Sequence, residues 1–203
     1  MLDHGNDAPA APARVVVMGA TGFVGNAIAA RLEQDRVPVL RLTRREVDLL
    51  VADGADRLAA QLRPADILVA AAALAPCRSA AMLRDNTIIA AAMLKAATAV
   101  PLAQVVNISS DAIYADSASP LTEASSKAPE SLHGTMHLAR EMSPRPVPIE
   151  ELPRTGPMPH KGSRAFDITS CRAVFRDFAF TPLERGLTKA MEEAQSRGAG
   201  VLA

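Results

Sequence analysis

Three glycines at fixed spacing, Gly19-Ala20-Thr21-Gly22-Phe23-Val24-Gly25, follow the short β-branched run that begins at Arg14. The chemistry such a turn supports is the binding of a dinucleotide pyrophosphate. Glycines allow a tight turn and close approach of the backbone, and free N–H groups at the start of the following helix meet the phosphates. Gly19, Thr21, Gly22, Phe23, Val24 and Gly25 are therefore candidate cofactor contacts; an ordinary strand-to-helix turn is the plainer alternative, against which the strand before and the helix after weigh. The next apolar run ends Arg41-Leu42-Thr43-Arg44-Arg45, with no carboxylate before Glu46. A carboxylate there would bind the adenosine ribose hydroxyl, whereas arginine favours a 2′-phosphate, so Arg44 points to NADP(H) over NAD(H); a solvated basic face is the plainer alternative. His133 and His137 lie four residues apart, on one face of any helix that holds them. The zinc-protease pattern needs Glu directly after the first His, and here that residue is Gly134, so no metal is expected.

The elements that must carry these residues alternate. Arg14 to Ala20 reads as a buried parallel strand. Gly22 to Gln34 reads as a helix whose apolar face is Val24, Ala27, Ile28 and Leu32. Val37 to Leu42 is a second strand, Val51 to Leu62 a partly amphipathic helix ended by Pro64, and Asp66 to Ala73 a third strand. Ser79 to Ala99 is the longest helical pattern, with Met82, Ile89, Met93 and Ala97 on one stripe. Asn86 falls on that stripe, and an amide there must find partners or cost about 1 to 3 kcal/mol of desolvation. Gln104 to Ile108 is a further strand, and Ser131 to Met142 a further helix. Strands alternating with helices predict an α/β, Rossmann-like doubly wound parallel sheet with helices on both faces and a reduced C-terminal substrate region.

Composition sets the outer bounds. The chain has 203 residues, 49% of them apolar, enough for one core of ordinary size. Its 22 basic and 22 acidic residues cancel, so it lacks the net field used in non-specific nucleic-acid binding. Cys77 and Cys171 have no CxxC spacing and imply neither a disulfide framework nor a zinc knuckle. Residues 1–13 contain neither a basic region nor an apolar core of the signal-peptide kind and are expected to be a disordered tail. No apolar run is long enough for a helical membrane span. A soluble, cytoplasmic protein is expected, with no membrane or nucleic-acid partner. Residues 14–142 are expected to form the dinucleotide-binding domain and 143–165 a connector, since six of the 15 prolines lie between Pro144 and Pro159. Residues 166–203 return to helical patterning, with Pro182 opening a terminal helix.

The sequence GATGFVG after a first strand resembles the extended short-chain dehydrogenase/reductase superfamily, the NAD(P)-dependent epimerases and dehydratases of nucleotide sugars. Further similarities come in order: Asp48-Leu49, Ala71-Ala72-Ala73, Asn86, Ile108-Ser109-Ser110-Asp111-Ala112-Ile113-Tyr114 and Leu121-Thr122-Glu123. They cover Arg14 to Glu141 and resume weakly at Phe166 to Thr169 and Phe180 to Pro182. The resemblance implies that Asp48 and Leu49 lie near the adenine, that Ala71, Ala72 and Ala73 line the cofactor, and that Asn86 lies near the active site. Asp48 also suits a plain strand-end turn, and the alanines plain packing. The resemblance further implies a Ser110 hydroxyl on the substrate oxygen, and a Tyr-x-x-x-Lys pair on the next helix for acid–base chemistry. Tyr114 matches a different tyrosine of the family pattern and does not replace that pair.

The matching segment is Leu132-His133-Gly134-Thr135-Met136-His137, so His stands at both positions. Two readings follow. In one, His133 is the acid–base group, since an imidazole titrates near neutrality without help, and His137 orients the nicotinamide ribose. The protein is then an NAD(P)-dependent epimerase, dehydratase or reductase transferring a hydride to or from a nucleotide sugar or related substrate. In the other, the pair is degenerate and the chain is a catalytically silent NADP-binding sensor or interaction module. Family members carry a further strand and much of the substrate lobe where this chain has only Ser143 to Ala165. A complete pocket would then depend on the connector or on a second subunit, as in a homodimer.

Overall fold

The computed structural model describes residues 11–142 and 165–199. Most of the expected tail (residues 1–10), nearly all of the expected connector (143–164) and residues 200–203 lie outside the described residues. The chain forms two compact units that divide between Ala165 and Phe166.

The larger unit runs β1 (Val15–Met18), α1 (Phe23–Gln34), β2 (Val39–Leu42), α2 (Gly54–Gln61), β3 (Ile67–Ala70), α3 (Ala80–Ala99), β4 (Gln104–Asn107), a single 3-10 turn (Asp111–Ile113) and α4 (Leu132–Met142). The four strands are parallel, in the order β2-β1-β3-β4, with Val15 level with both Val39 and Ile67, and Ile67 level with Gln104. This is the α/β Rossmann-like arrangement. Strand residues alternate between two cores, as the period of two requires. Val16 and Met18 join Leu42, Leu58, Leu68, Ile89 and Met93 on the face covered by α2 and α3. Val15 and Val17 join Ala20, Ala29 and Val69 on the face covered by α1.

The expected apolar face of α1 is rotated in the structure. Its buried residues are Gly25 and Ala29, with Ile28 and Leu32 packed beside them, while Val24 is 44% exposed. Small residues let the helix axis approach β1, which leaves Val24 at the exposed mouth of the turn. In α3 the Ser79 hydroxyl accepts from Met82 N–H at 3.2 Å and caps the helix. All four strands point their C-terminal ends toward one edge of the sheet, the edge where α/β proteins place their ligands.

The smaller unit holds α5 (Thr169–Val174) and α6 (Leu183–Ala199). Asp167 accepts from Thr169 N–H at 2.9 Å, and the Pro182 carbonyl accepts from Gly186 N–H at 2.9 Å. Phe178 and Phe180 meet edge to face at 5.0 Å between ring centres.

Candidate active site

The turn after β1 is built for close backbone contact. Gly19 has φ +91°, and a Cβ there would lie 2.7 Å from Ala72 N and 2.9 Å from the Ala71 carbonyl carbon. Only glycine combines that φ with that approach. A Cβ on Gly25 would lie 2.3 Å from Gly19 O, so the first turn of α1 is pressed onto the glycine turn. Gly22 begins the helix with no side-chain cap and no acidic residue in the first turn. First-turn N–H groups have no intrahelical acceptor, and residues 21–24 are exposed. The result is an uncapped helix N-terminus beside a glycine cradle, the arrangement that receives a phosphate.

The expected alanines are placed against this cradle, with Ala71 N–H donating to Met18 O at 3.0 Å. The loop continues to Leu74, where Asn86 takes both backbone groups. Its Oδ1 accepts from Leu74 N–H at 2.9 Å, and its Nδ2 donates to Leu74 O at 3.0 Å and Met82 O at 2.8 Å. Asn86 is fully buried. Its amide therefore holds the loop that lies against the glycine turn, which answers the demand for partners raised by its place on the α3 stripe.

At the far end, Arg44 Nε donates to Asp48 Oδ2 at 3.0 Å, and Asp48 Oδ1 accepts from Leu50 N–H at 3.0 Å. The Leu50 N–H and then Arg44 hold the Asp48 carboxyl below the usual carboxylate range. Leu49 is buried in the core. Glu46 folds back to accept from the hydroxyl and the N–H of Thr43, which lowers its pKa. The Arg44 side chain remains 70% exposed.

On the other side of the cradle, Ser110 caps the 3-10 turn. Its hydroxyl oxygen accepts from Ala112 N–H at 3.2 Å and its O–H donates to Asp111 Oδ1 at 3.2 Å. Gly134 docks α4 on that turn: a Cβ would lie 2.1 Å from Ala112 O and 2.8 Å from Pro129 Cβ. His133, the preceding residue, is half-buried, and its Nδ1 accepts from Cys77 N–H at 3.3 Å. His137 packs edge to face on His133 at 4.7 Å between ring centres. Burial first, then the proximity of His133 and Arg140, pushes the His137 pKa down to about 4, with Glu141 opposing weakly. His137 is therefore neutral at pH 7.

Arg140, one turn further along α4, is buried, and its Nη2 donates to Ala70 O at 3.2 Å and Asn107 Oδ1 at 3.4 Å. It lies three residues from His137 and seven from His133, on the same helical face. That spacing was the signal in the sequence that could have found it. Cys77 carried no such signal, because it contributes a backbone group. The buried Ser109 hydroxyl, His137 Nδ1 and Arg140 Nε have no hydrogen-bond partner among the described residues.

Residues 15–143 match the model of the NAD dependent epimerase/dehydratase family. The chain belongs to this family. Among solved structures it is similar to the UDP-N-acetylglucosamine 4-epimerase of Bacillus cereus, at 26% identity and TM-score 0.55 over 63% of this chain and 52% of that one. It is also similar to MoeE5 in complex with UDP-glucose and NAD, at 24% identity and TM-score 0.56 over 63% and 46%. A third is the ADP-L-glycero-D-manno-heptose-6-epimerase of Helicobacter pylori, at 16% identity and TM-score 0.53 over 66% and 50%. The last two likenesses show the fold alone. The chain spans about half the length of these structures. No curated protein matches it. No helix among the described residues is long and apolar enough to cross a membrane.

The cradle fits the nicotinamide dinucleotide that the epimerase/dehydratase family implies, because the exposed first turn of α1 has neither a side-chain cap nor an acidic residue to compete with a phosphate, and Gly19 and Gly25 let the backbone pack closely enough to hold that turn in place. The histidine pair gives a separate, measurable signature. A folded-state pKa of about 4 lies below the ordinary histidine value of about 6.5. Above pH 6.5 residue 137 is neutral in both states and the stability it confers is fully present. As pH falls from about 6.5 to about 4, the unfolded chain takes up a proton that the folded chain refuses. Stability then drops by about 3 kcal/mol. Urea midpoints measured across this range should fall more steeply for the parent than for His137→Leu, and parallel curves would contradict the burial of a neutral imidazole.

Proposed function

We propose that this domain binds NADP(H) and serves hydride transfer on a nucleotide sugar or related hydroxyl or carbonyl substrate. The observation that carries the reading is the cradle at Gly19 and Gly25 beside an uncapped helix N-terminus. Bound there, the dinucleotide supplies or takes up a hydride at the carbon that bears the reacting oxygen. The N–H groups of the first turn of α1 would hold the pyrophosphate, and the Ala71 to Ala73 backbone would lie along the cofactor. Arg44 reaches a 2′-phosphate by leaving Asp48, a small loss for a pair on the surface. Ser110 and His133 flank the reacting oxygen, because Gly134 brings α4 onto the residue two after Ser110. A homodimer would be one source of the remaining substrate contacts.

A second reading, a silent NADP-binding module, has its own support. His137 is neutral where the family pattern has a cationic lysine, so no charge stands at that position. One experiment separates the two: a fluorescence titration with NADPH paired with turnover assays on UDP-hexoses. Binding with turnover supports the enzyme, binding alone supports the module, and no binding removes both.

Cofactor preference gives a further expected result. Arg44→Ala should weaken NADPH about tenfold relative to NADH, about 1.4 kcal/mol in the difference. An equal loss for both cofactors would remove Arg44 as the specificity residue, since specificity is a difference of affinities.

A further inference from the structure

We infer that His133 acts as a neutral hydrogen-bond donor through Nε2–H, locked in that form by the backbone of Cys77, and not as the group that gains and loses the proton. The inference rests on the hydride-transfer reading of this site and assigns the chemistry of one of its walls.

The argument begins with a group whose polarity is fixed. A backbone N–H can only donate, so His133 Nδ1, 3.3 Å from Cys77 N, must present its lone pair. A neutral imidazole carries one N–H, which places it on Nε2. Work as a base through Nε2 requires the other tautomer, with hydrogen on Nδ1, and work as an acid requires hydrogen on both nitrogens. Either form sets two N–H groups against each other and leaves a buried backbone donor without its acceptor, a costly condition.

Neither side of the contact is placed to yield. Cys77 is buried, its Sγ lies 3.8 Å from Ser79 O, and Asn86 holds both backbone groups of Leu74 in the same loop. On the helix side, Gly134 packs α4 directly onto Ala112 O, with no room for a Cβ. His137 covers one side of the His133 ring edge to face. Its neutral imidazole gives His133 no partner of fixed charge.

His133 therefore offers one donor to an oxygen, and the ligand group it fits is a hydroxyl or carbonyl oxygen on which negative charge develops. Were a sugar hydroxyl oxidised at this site, a bound nicotinamide would take up the C–H hydride and water the O–H proton. A carbonyl would be left. His133 keeps its own hydrogen throughout and stabilises charge on the oxygen, as fixed donors do in oxyanion sites.

The test has two arms. Histidine-labelled protein at pH 7, with His133→Gln used for assignment, should show His133 protonated on Nε2 alone in long-range proton–nitrogen correlation spectra. Hydrogen on Nδ1, alone or with Nε2, overturns the inference. In the second arm, oxidation of UDP-glucose by NADP+ is compared in the parent, His133→Gln and His133→Phe. A glutamine amide can donate but cannot take a proton, so Gln should stay within about tenfold of the parent while Phe loses about 100-fold. Gln falling as far as Phe would restore proton transfer to His133 and reject the proposal. A parent without turnover counts against the hydride-transfer reading, and the nitrogen spectrum then decides the His133 assignment by itself.

Discussion

Replacing Gly25 with valine should all but abolish NADPH binding, with affinity down by about 100-fold or more. The first carbon of any side chain at this position would sit 2.3 Å from Gly19 O and 2.9 Å from the Gly19 carbonyl carbon. Both are backbone atoms, so no rotamer change relieves the overlap. Gly19 O is also the acceptor for Gly22 N–H at 3.0 Å, and Gly19 N–H is tied to Leu42 O at 2.9 Å. The strain must therefore move the start of α1 away from the glycine turn. That separates the first-turn N–H groups from the cradle. Losing two charge-assisted hydrogen bonds to pyrophosphate, at about 1.5 to 3 kcal/mol each, is enough for the expected fall. Gly22→Ala is the control, because its Cβ would stand 3.3 Å from Gly19 O, a contact relieved by a small shift. Fluorescence titration with NADPH reads the outcome, with far-ultraviolet circular dichroism to verify folding. A folded Gly25→Val protein that binds NADPH as tightly as the parent would remove the cradle from the proposed site.

What could be read from the sequence divides by range. The glycine turn was legible because its signal is local: a β-branched strand, three glycines and an amphipathic helix in twenty residues or so, each part constraining the next. Asn86 was legible as a polar group needing partners, but its partner was not, since the Leu74 backbone carries no residue-type signal. The α1 face was misread by rank of hydrophobicity. Val24 scores as core, yet the buried positions of α1 are Gly25, pressed onto the glycine turn, and Ala29, packed with Val15 and Val17, where a small side chain matters more than an apolar one. The wall formed by α4 and the 3-10 turn was the least legible. Cys77 is 56 residues from His133, and Arg140 reaches a carbonyl 70 residues away. Spacing along α4 placed both histidines on one face correctly, but it could not say that one would face a backbone donor and the other lie beside a buried guanidinium. For His137 it is burial, more than either charged neighbour, that pushes the pKa down.

The same reasoning about buried charge gives the largest expected loss of stability, at the other edge of the sheet. Arg14 precedes β1 and Asp66 precedes β3, and their side chains meet in a two-bond fork, Nε to Oδ1 at 2.9 Å and Nη2 to Oδ2 at 2.5 Å. Arg14 Nη2 also donates to Gln61 O at 2.9 Å, and Arg63 N–H donates to Asp66 Oδ2 at 2.7 Å. The Asp66 side chain is only 3% exposed and that of Arg14 15%. Burial works against the Asp66 charge, but Arg14 and the Arg63 N–H outweigh it and hold the carboxyl below its ordinary range. The pair's contribution is thus present above the unfolded carboxylate value of about 3.9 and is lost as pH falls through the lower folded value. Asp66→Ala strands a largely buried guanidinium and leaves Arg63 N–H without its acceptor, which should cost about 3 to 5 kcal/mol. The double substitution Arg14→Leu/Asp66→Leu should recover part of that loss, because it removes the unpaired charge along with its partner. Since this pair lies at the N-terminal ends of the strands and the cradle at their C-terminal ends, NADPH affinity of the folded Asp66→Ala protein should match the parent. Urea denaturation of the three proteins measures the ledger, and a cost below about 1 kcal/mol for Asp66→Ala, the range of an exposed ion pair, would show that the fork does not hold β1 to β3.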